Sequence, residues 1–324
     1  MSIAKRVLGK SGIEVTEIGL GLWAAGGNEW GATDDQQSLD AIDYALEHGV
    51  TFFDTADVYG VGHSEELLGK AMQGRRDRFI AATKIGWLGF DDSGSAYKNV
   101  AQFIEGVESN LKRLKTDYID VIQSHIHFRD PTMEVFIEGF QKLRASGKVR
   151  AYGVSTSDFE YLKQFNSDGA CATLQIDYSI LNRTAEADIF PYCQENNIGV
   201  IVRGGLAMGL LTGKFDADTR FRFPEGDFRR NWIGDPEQNA IFLQDLDKVE
   251  QLKSLANDKR SLAQAALQFV LKHPAVTTVI PGAKTIKQVE SNLGTAVATP
   301  LTDAEMAIID GVTPPTGGRK IWPA

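Results

Sequence analysis

Residues 119–155 read IDVIQSHIHFRDPTMEVFIEGFQKLRASGKVRAYGVS. Residues 119–125 and 149–155 are short runs rich in β-branched side chains, and 133–146 between them reads as a helix. A strand, a helix and a second strand in so short a span form a βαβ unit, which makes the strands parallel. The same rhythm extends in both directions. Strand-like runs fall at 15–22, 50–56, 79–84, 119–125, 149–155, 172–178, 199–205 and 276–282. Helix-like runs fall at 34–48, 64–72, 100–114, 133–146, 158–165, 186–196, 240–256, 261–272 and 285–293, with Ser64 a possible N-cap. Eight such units predict a closed α/β barrel of the (β/α)8 TIM type, a single domain spanning 1–324. A small hairpin is expected at 7–15, turning at Ser11-Gly12, and a long loop at 215–236 after strand seven.

Composition narrows the function. The chain has 324 residues, 34 Lys+Arg and 43 Asp+Glu, for a net charge of −9. A net-acidic chain without a basic run is not expected to bind nucleic acid. No stretch reaches 18 apolar residues, so no membrane span is expected, and 1–6 lead into no apolar segment of a secretory signal. The two cysteines, Cys171 and Cys193, form neither a CxxC nor a disulfide framework. A cytoplasmic protein with no evident obligate partner is expected.

In a barrel of this kind the chemistry sits at the C-terminal ends of the strands. Strand two ends in Asp54, with Tyr59 on the loop after it, strand three in Lys84 and strand four in His125. These types suit carbonyl reduction. A hydride delivered to a carbonyl leaves an alkoxide that needs a proton. A tyrosine can give it, a neighbouring ammonium lowers the tyrosine pKa, and a carboxylate keeps that ammonium charged. A histidine at the rim can hold the substrate oxygen. Taken singly, each residue also has a structural reading: a cap, a packed ring, a solvent-facing strand end, a buried histidine. Two motifs fail their context. GLGLWA at 19–24 fits a dinucleotide fingerprint, but further glycines follow where a helix should open. His125-Ile126-His127 has the HxH form of a metal site, but the other histidines supply no further ligands at strand ends, so no metal is expected.

The chain resembles the aldo-keto reductases over essentially its full length. The resemblance rests on GLGLW (19–23), FDTADVYGVGHSEELLG (53–69), ATK (82–84), TDYIDVIQSH (116–125), GKVRAYGVS (147–155), LQIDYSILNR (174–183), GLLTGKF (209–215) and IPGAKTIKQVESNL (280–293). Within the family it most resembles bacterial monomeric-type reductases related to those found with inositol catabolism. The resemblance implies a catalytic tetrad of Asp54, Tyr59, Lys84 and His125, with Tyr59 the proton donor and His127 a substitute for His125. It also implies NADPH, lying extended across the barrel mouth.

By position, Ser155 and Gln175 would hold the nicotinamide carboxamide, one supplying a donor and the other an acceptor. Thr156 stands where the family usually has Asn. Leu206, Gly209 and Lys214 would face the pyrophosphate, and Gly282 would line the end of strand eight. Lys284 and Thr285, at the start of a helix, suit the 2′-phosphate, and Gln288 and Asn292 the adenine. Trp23 would line the mouth, or else pack in the core. Arg203 replaces the aromatic residue that many members carry at the end of strand seven. Its planar guanidinium is expected near the nicotinamide or its phosphate, with an ion pair to Asp177 as the alternative. The reading is an NADPH-dependent oxidoreductase reducing an aldehyde, ketone or sugar carbonyl to an alcohol. The alternative is a cofactor-binding regulatory subunit of the same fold with little turnover, as in channel-associated β-subunits. Substrate selectivity is expected in loops 87–96, 128–132 and 215–234.

Overall fold

The computed structural model describes residues 3–27, 29–86, 97–125 and 133–321. His127 and the loops 87–96 and 128–132 lie outside them. A two-stranded antiparallel hairpin, β1 (Lys5–Val7) and β2 (Glu14–Thr16), precedes the barrel. The barrel strands are β3 (Leu20–Gly21), β4 (Phe52–Asp54), β5 (Ile80–Ile85), β6 (Ile119–His125), β7 (Val149–Ser155), β8 (Thr173–Asp177), β9 (Gly199–Arg203) and β10 (Val276–Val279). They pair in sequence order, all parallel. Parallel bridges Ile18–Val279 and Gly21–Gly282 join the first strand to the last and close the ring.

Alternate residues of each strand face the interior. The lower interior is apolar: Phe52, Ala82, Val121, Ala151 and Ile201 pack together, joined by Leu8, Ile13 and Val15 of the hairpin. The hairpin therefore plugs the N-terminal end. Gly9 makes this fit possible, since its φ is +52° and a Cβ there would lie 2.2 Å from the Gly199 nitrogen. One step further along the same strands, the inward residues become polar: Asp54, Lys84, Gln123 and His125, then Ser155, Gln175 and Arg203. Apolar residues thus close the bottom, and a polar floor is left at the mouth.

The helices ring this sheet. Helix α1 is Asp35–Glu47, α2 His63–Met72, α3 Val100–Leu114, α4 Met133–Ala145, α5 Phe159–Phe165 and α6 Ile189–Glu195. The cap of α2 corrects the sequence reading. Gly62, in the left-handed region at φ 91°, precedes the helix, while Ser64 is buried and donates to the Leu22 carbonyl at 2.9 Å. The segment 215–236 is not an irregular loop. It holds α7 (Thr219–Arg222) and α8 (Phe228–Trp232) and leads into α9 (Pro236–Leu252). Its charged, aromatic sequence lacks the length for a periodic signal. Then follow α10 (Leu262–Lys272), α11 (Ile286–Leu293) and α12 (Asp303–Val312), the last unread in the sequence. No helix among the described residues is long and apolar enough to cross a membrane.

Candidate active site

Asp54 and Lys84 leave neighbouring strands toward the barrel axis, and Tyr59 reaches the same point from the turn after β4. That turn is tied to β5 by backbone bonds from Thr55 to the Ala82 carbonyl, 2.9 Å, and from Asp57 to the Lys84 carbonyl, 3.1 Å. The Lys84 ammonium, fully buried, spends all three donors here. Its Nζ donates to Asp54 Oδ2 at 2.7 Å, the Thr55 carbonyl at 2.8 Å and the Tyr59 hydroxyl at 3.1 Å. Asp54 Oδ1 accepts from Gln175 Nε2 at 2.8 Å, and that same nitrogen donates to Gln123 Oε1 at 3.1 Å. Gln175 therefore keeps its own carbonyl oxygen for another donor. The His125 ring meets Tyr59 edge to face at 5.8 Å, and Trp23 stacks on Tyr59 at 5.8 Å with the rings 24° apart.

Burial governs the protonation states. It pushes the Tyr59 hydroxyl above its usual range, although Lys84 and Arg203 pull the other way. The sequence expectation of a lowered pKa is thus corrected: residue types reveal the ammonium beside the tyrosine but not the desolvation that outweighs it. With its pKa raised, the Tyr59 hydroxyl holds its proton at neutral pH. Burial alone would strip Lys84 of its charge, but Asp54 and Tyr59 more than offset this and raise its pKa. Burial pushes Asp54 up against the pull of Lys84. His125 falls well below the ordinary histidine range through burial and the charges of Lys84 and Arg203, so it is neutral at pH 7.

A second polar cluster stands behind Lys84. Glu65 of α2 is buried, accepting from Thr83 Oγ1 at 2.5 Å, Asn110 Nδ2 at 2.7 Å and Arg113 Nε at 2.6 Å. Asn110 also reaches the Lys84 carbonyl at 3.3 Å. The carboxylate thereby links α2, α3 and β5. Burial raises Glu65 from 4.5 to about 7. Between those pH values the folded chain keeps a proton that the unfolded chain has released, so stability falls as pH rises through that window. The loss is on the order of 3 kcal/mol. Glu65→Gln removes the titration. Relative to wild type, the variant should gain stability by up to that amount between pH 5 and pH 8, read by urea unfolding at both. A variant-to-wild-type difference that is the same at both pH values would mean that Glu65 is ionised throughout.

A cavity of about 660 Å³ opens over the floor, within the size range of small-molecule and cofactor sites. Of the residues singled out from sequence, Trp23, Asp54, Tyr59, His125, Ser155, Gln175, Arg203, Leu206, Gly209, Lys214, Gly282, Lys284 and Gln288 line it. Lys84 sits beneath. Thr285 and Asn292 are not among its lining residues. Thr285 caps α11, its side chain accepting from the Gln288 nitrogen, and Asn292 donates to the Gly282 carbonyl at 3.5 Å. Thr156 turns to the Asp158 nitrogen, whose hydrogen bond it accepts at 3.0 Å. Arg203 forms no ion pair with Asp177. That carboxylate instead accepts from Asn182 Nδ2 at 2.9 Å.

At the far end of the cavity the sequence points to Lys284 and Gln288, which line it, but not to their neighbours Trp30, Asp227 and Arg229. Lys284 Nζ donates to the Trp30 carbonyl at 2.6 Å, and burial lowers its pKa while Asp227 supports its charge. Arg229 of α8 lines the cavity, with Nη2 on Asp227 Oδ2 at 2.7 Å and Nη1 on the Met208 carbonyl at 3.2 Å. Its guanidinium lies 4.6 Å from the Trp30 ring centre, and Phe228 stacks on Trp23 at 5.5 Å. The turn after β3 and the segment after β9 thus meet over one side of the mouth. Only a charged, aromatic composition in 215–236 hinted at this. Nearby, Ala207 and Met208 take positive φ values of 49° and 55°, backbone strain concentrated at the cavity wall.

Comparison with known proteins agrees with this architecture. The model of the Aldo/keto reductase family matches residues 17–314. The chain is 38% identical over 288 residues to aldo-keto reductase YhdN of Bacillus subtilis, covering 87% of this chain and 85% of the relative. It is 31% identical to the NADH-specific methylglyoxal reductase of Escherichia coli, covering 93% and 96%. The crystal structure of an aldo-keto reductase from Klebsiella pneumoniae in complex with NADPH superposes with a TM-score of 0.73 at 29% identity, covering 97% and 96%. Barrel, motif order and full-length similarity lead to one conclusion: the chain belongs to the aldo/keto reductase family of oxidoreductases.

Proposed function

We propose that the protein reduces an aldehyde, ketone or sugar carbonyl to the alcohol with NADPH, and that Tyr59 donates the proton. The observation that carries this reading is the Lys84 ammonium, bonded at once to Asp54 and to the Tyr59 hydroxyl at the floor of the cavity. When bound, the nicotinamide cofactor supplies the hydride. The residues present fit such a cofactor. Gln175 offers an amide oxygen and Ser155 a hydroxyl on adjacent strands for the carboxamide. Lys214, Arg229 and Lys284 offer cations along the cavity for phosphates.

The chain's own steps follow from the geometry. A substrate oxygen placed against the Tyr59 hydroxyl receives its proton as negative charge develops there. Lys84 then stabilises the tyrosinate left behind, and Asp54 keeps the ammonium charged and aimed. His125, neutral, orients the substrate oxygen by hydrogen bonding and is not the acid. A simple aldehyde assayed with NADPH and with NADH tests the reading. Steady turnover is expected, and bound NADPH without turnover would favour the regulatory-subunit alternative.

Lys284 carries the preference between the two cofactors. Only NADPH has a 2′-phosphate, and a charge-assisted hydrogen bond to it is worth about 1.5–3 kcal/mol. Lys284→Ala should therefore weaken NADPH about ten- to a hundredfold and leave NADH nearly unchanged, measured by fluorescence titration. Equal weakening of both would place the ammonium elsewhere on the dinucleotide.

A further inference from the structure

Arg203, the last residue of β9, lines the cavity beside Asp54, Tyr59 and His125. Its side chain forms no ion pair or hydrogen bond within the described residues, yet its charge is felt by all three of those side chains and by Asp177. Asp177, its register partner across β8 and β9, is held by Asn182 Nδ2 at 2.9 Å and by the Ile321 nitrogen at 3.4 Å. Lys84 is already matched by Asp54, and Glu29, the other carboxylate among the described lining residues, takes the Trp23 indole. Among the described residues Arg203 is therefore the cation at this end of the cavity that no carboxylate holds within ion-pair distance.

We propose that Arg203 sorts the two redox forms of the nicotinamide, disfavouring the oxidised one. The inference rests on the reductase reading. A carbon that receives hydride carries the oxygen that Tyr59 protonates, so the nicotinamide lies at the Tyr59 end of the cavity, within the field of Arg203. The reduced ring is neutral and the oxidised ring cationic. Two unit charges as far as about 12 Å apart, at an effective dielectric near 20, repel enough for a tenfold difference in affinity. An ionised Asp177 subtracts from this, and a closer approach adds to it. The protein then holds NADPH about tenfold more tightly than NADP⁺, and the oxidised product inhibits weakly.

The test is titration of NADPH, NADP⁺ and 2′,5′-ADP into wild type, Arg203→Met and Arg203→Lys, followed by protein fluorescence or calorimetry. Arg203→Met should narrow the preference for NADPH over NADP⁺ by about tenfold, and Arg203→Lys should keep most of it. Affinity for 2′,5′-ADP, which lacks the nicotinamide, should be the same in all three and shows that the cavity is intact. An unchanged NADPH-to-NADP⁺ ratio in Arg203→Met overturns the proposal, as does a parallel loss of all three ligands. Wild type that binds none of them overturns the cofactor reading itself, a result distinct from either.

Discussion

Tyr59→Phe should cut carbonyl turnover by about 10² or more, the usual contribution of a positioned general acid, while NADPH affinity stays close to wild type. The variant keeps the ring, so stacking on Trp23 and the edge contact with His125 survive. Lys84 loses one of three acceptors and retains Asp54 and the Thr55 carbonyl. The structural cost is therefore that of one hydrogen bond, about 1 kcal/mol. His125 cannot substitute as the acid, because burial and two nearby cations keep it neutral. Single-turnover reduction of an aldehyde under saturating NADPH isolates the chemical step. A variant retaining a tenth of the wild-type rate would require a different proton donor.

The barrel was legible because its signal is repeated: each apolar strand run is followed by a helical run, and hydrophobic periodicity survives small errors in any one unit. Boundaries were less legible. Residues 15–22 read as one strand, but the chain divides them between hairpin strand β2 and barrel strand β3, which only closure against Val279 and Gly282 decides. Asp54, Lys84 and His125 were legible because strand ends in this fold point to one place. Glu65 was not, since its partners Thr83, Asn110 and Arg113 lie 18, 45 and 48 residues away. Arg229 was hidden for a similar reason: nothing in 215–236 tells which of its arginines turns inward. The direction of the Tyr59 shift needed a further quantity, the depth of burial, which no residue pattern contains.

Lys84→Met should abolish most activity and also destabilise the fold, and the two losses should separate. Met fills much of the lysine's volume without its charge. The variant leaves the Asp54 carboxylate buried with the Gln175 amide as its side-chain donor. Breaking a buried ion pair from one side costs about 3–5 kcal/mol. Asp54 can relieve part of this by taking up a proton. Its folded pKa, already raised, climbs further, so the variant should be least destabilised at low pH and progressively worse as pH rises past the ordinary carboxylate range. Adding Asp54→Asn removes the stranded charge while keeping a hydrogen-bonding side chain of similar shape. The double variant should therefore regain most of the lost stability, measured by urea unfolding at pH 8. Its turnover should remain down by about 10² or more, because Tyr59 then has no ammonium to stabilise its conjugate base. Recovery of both stability and turnover in the double variant would show that Lys84 serves only to neutralise Asp54, and that the proton leaves Tyr59 without its help.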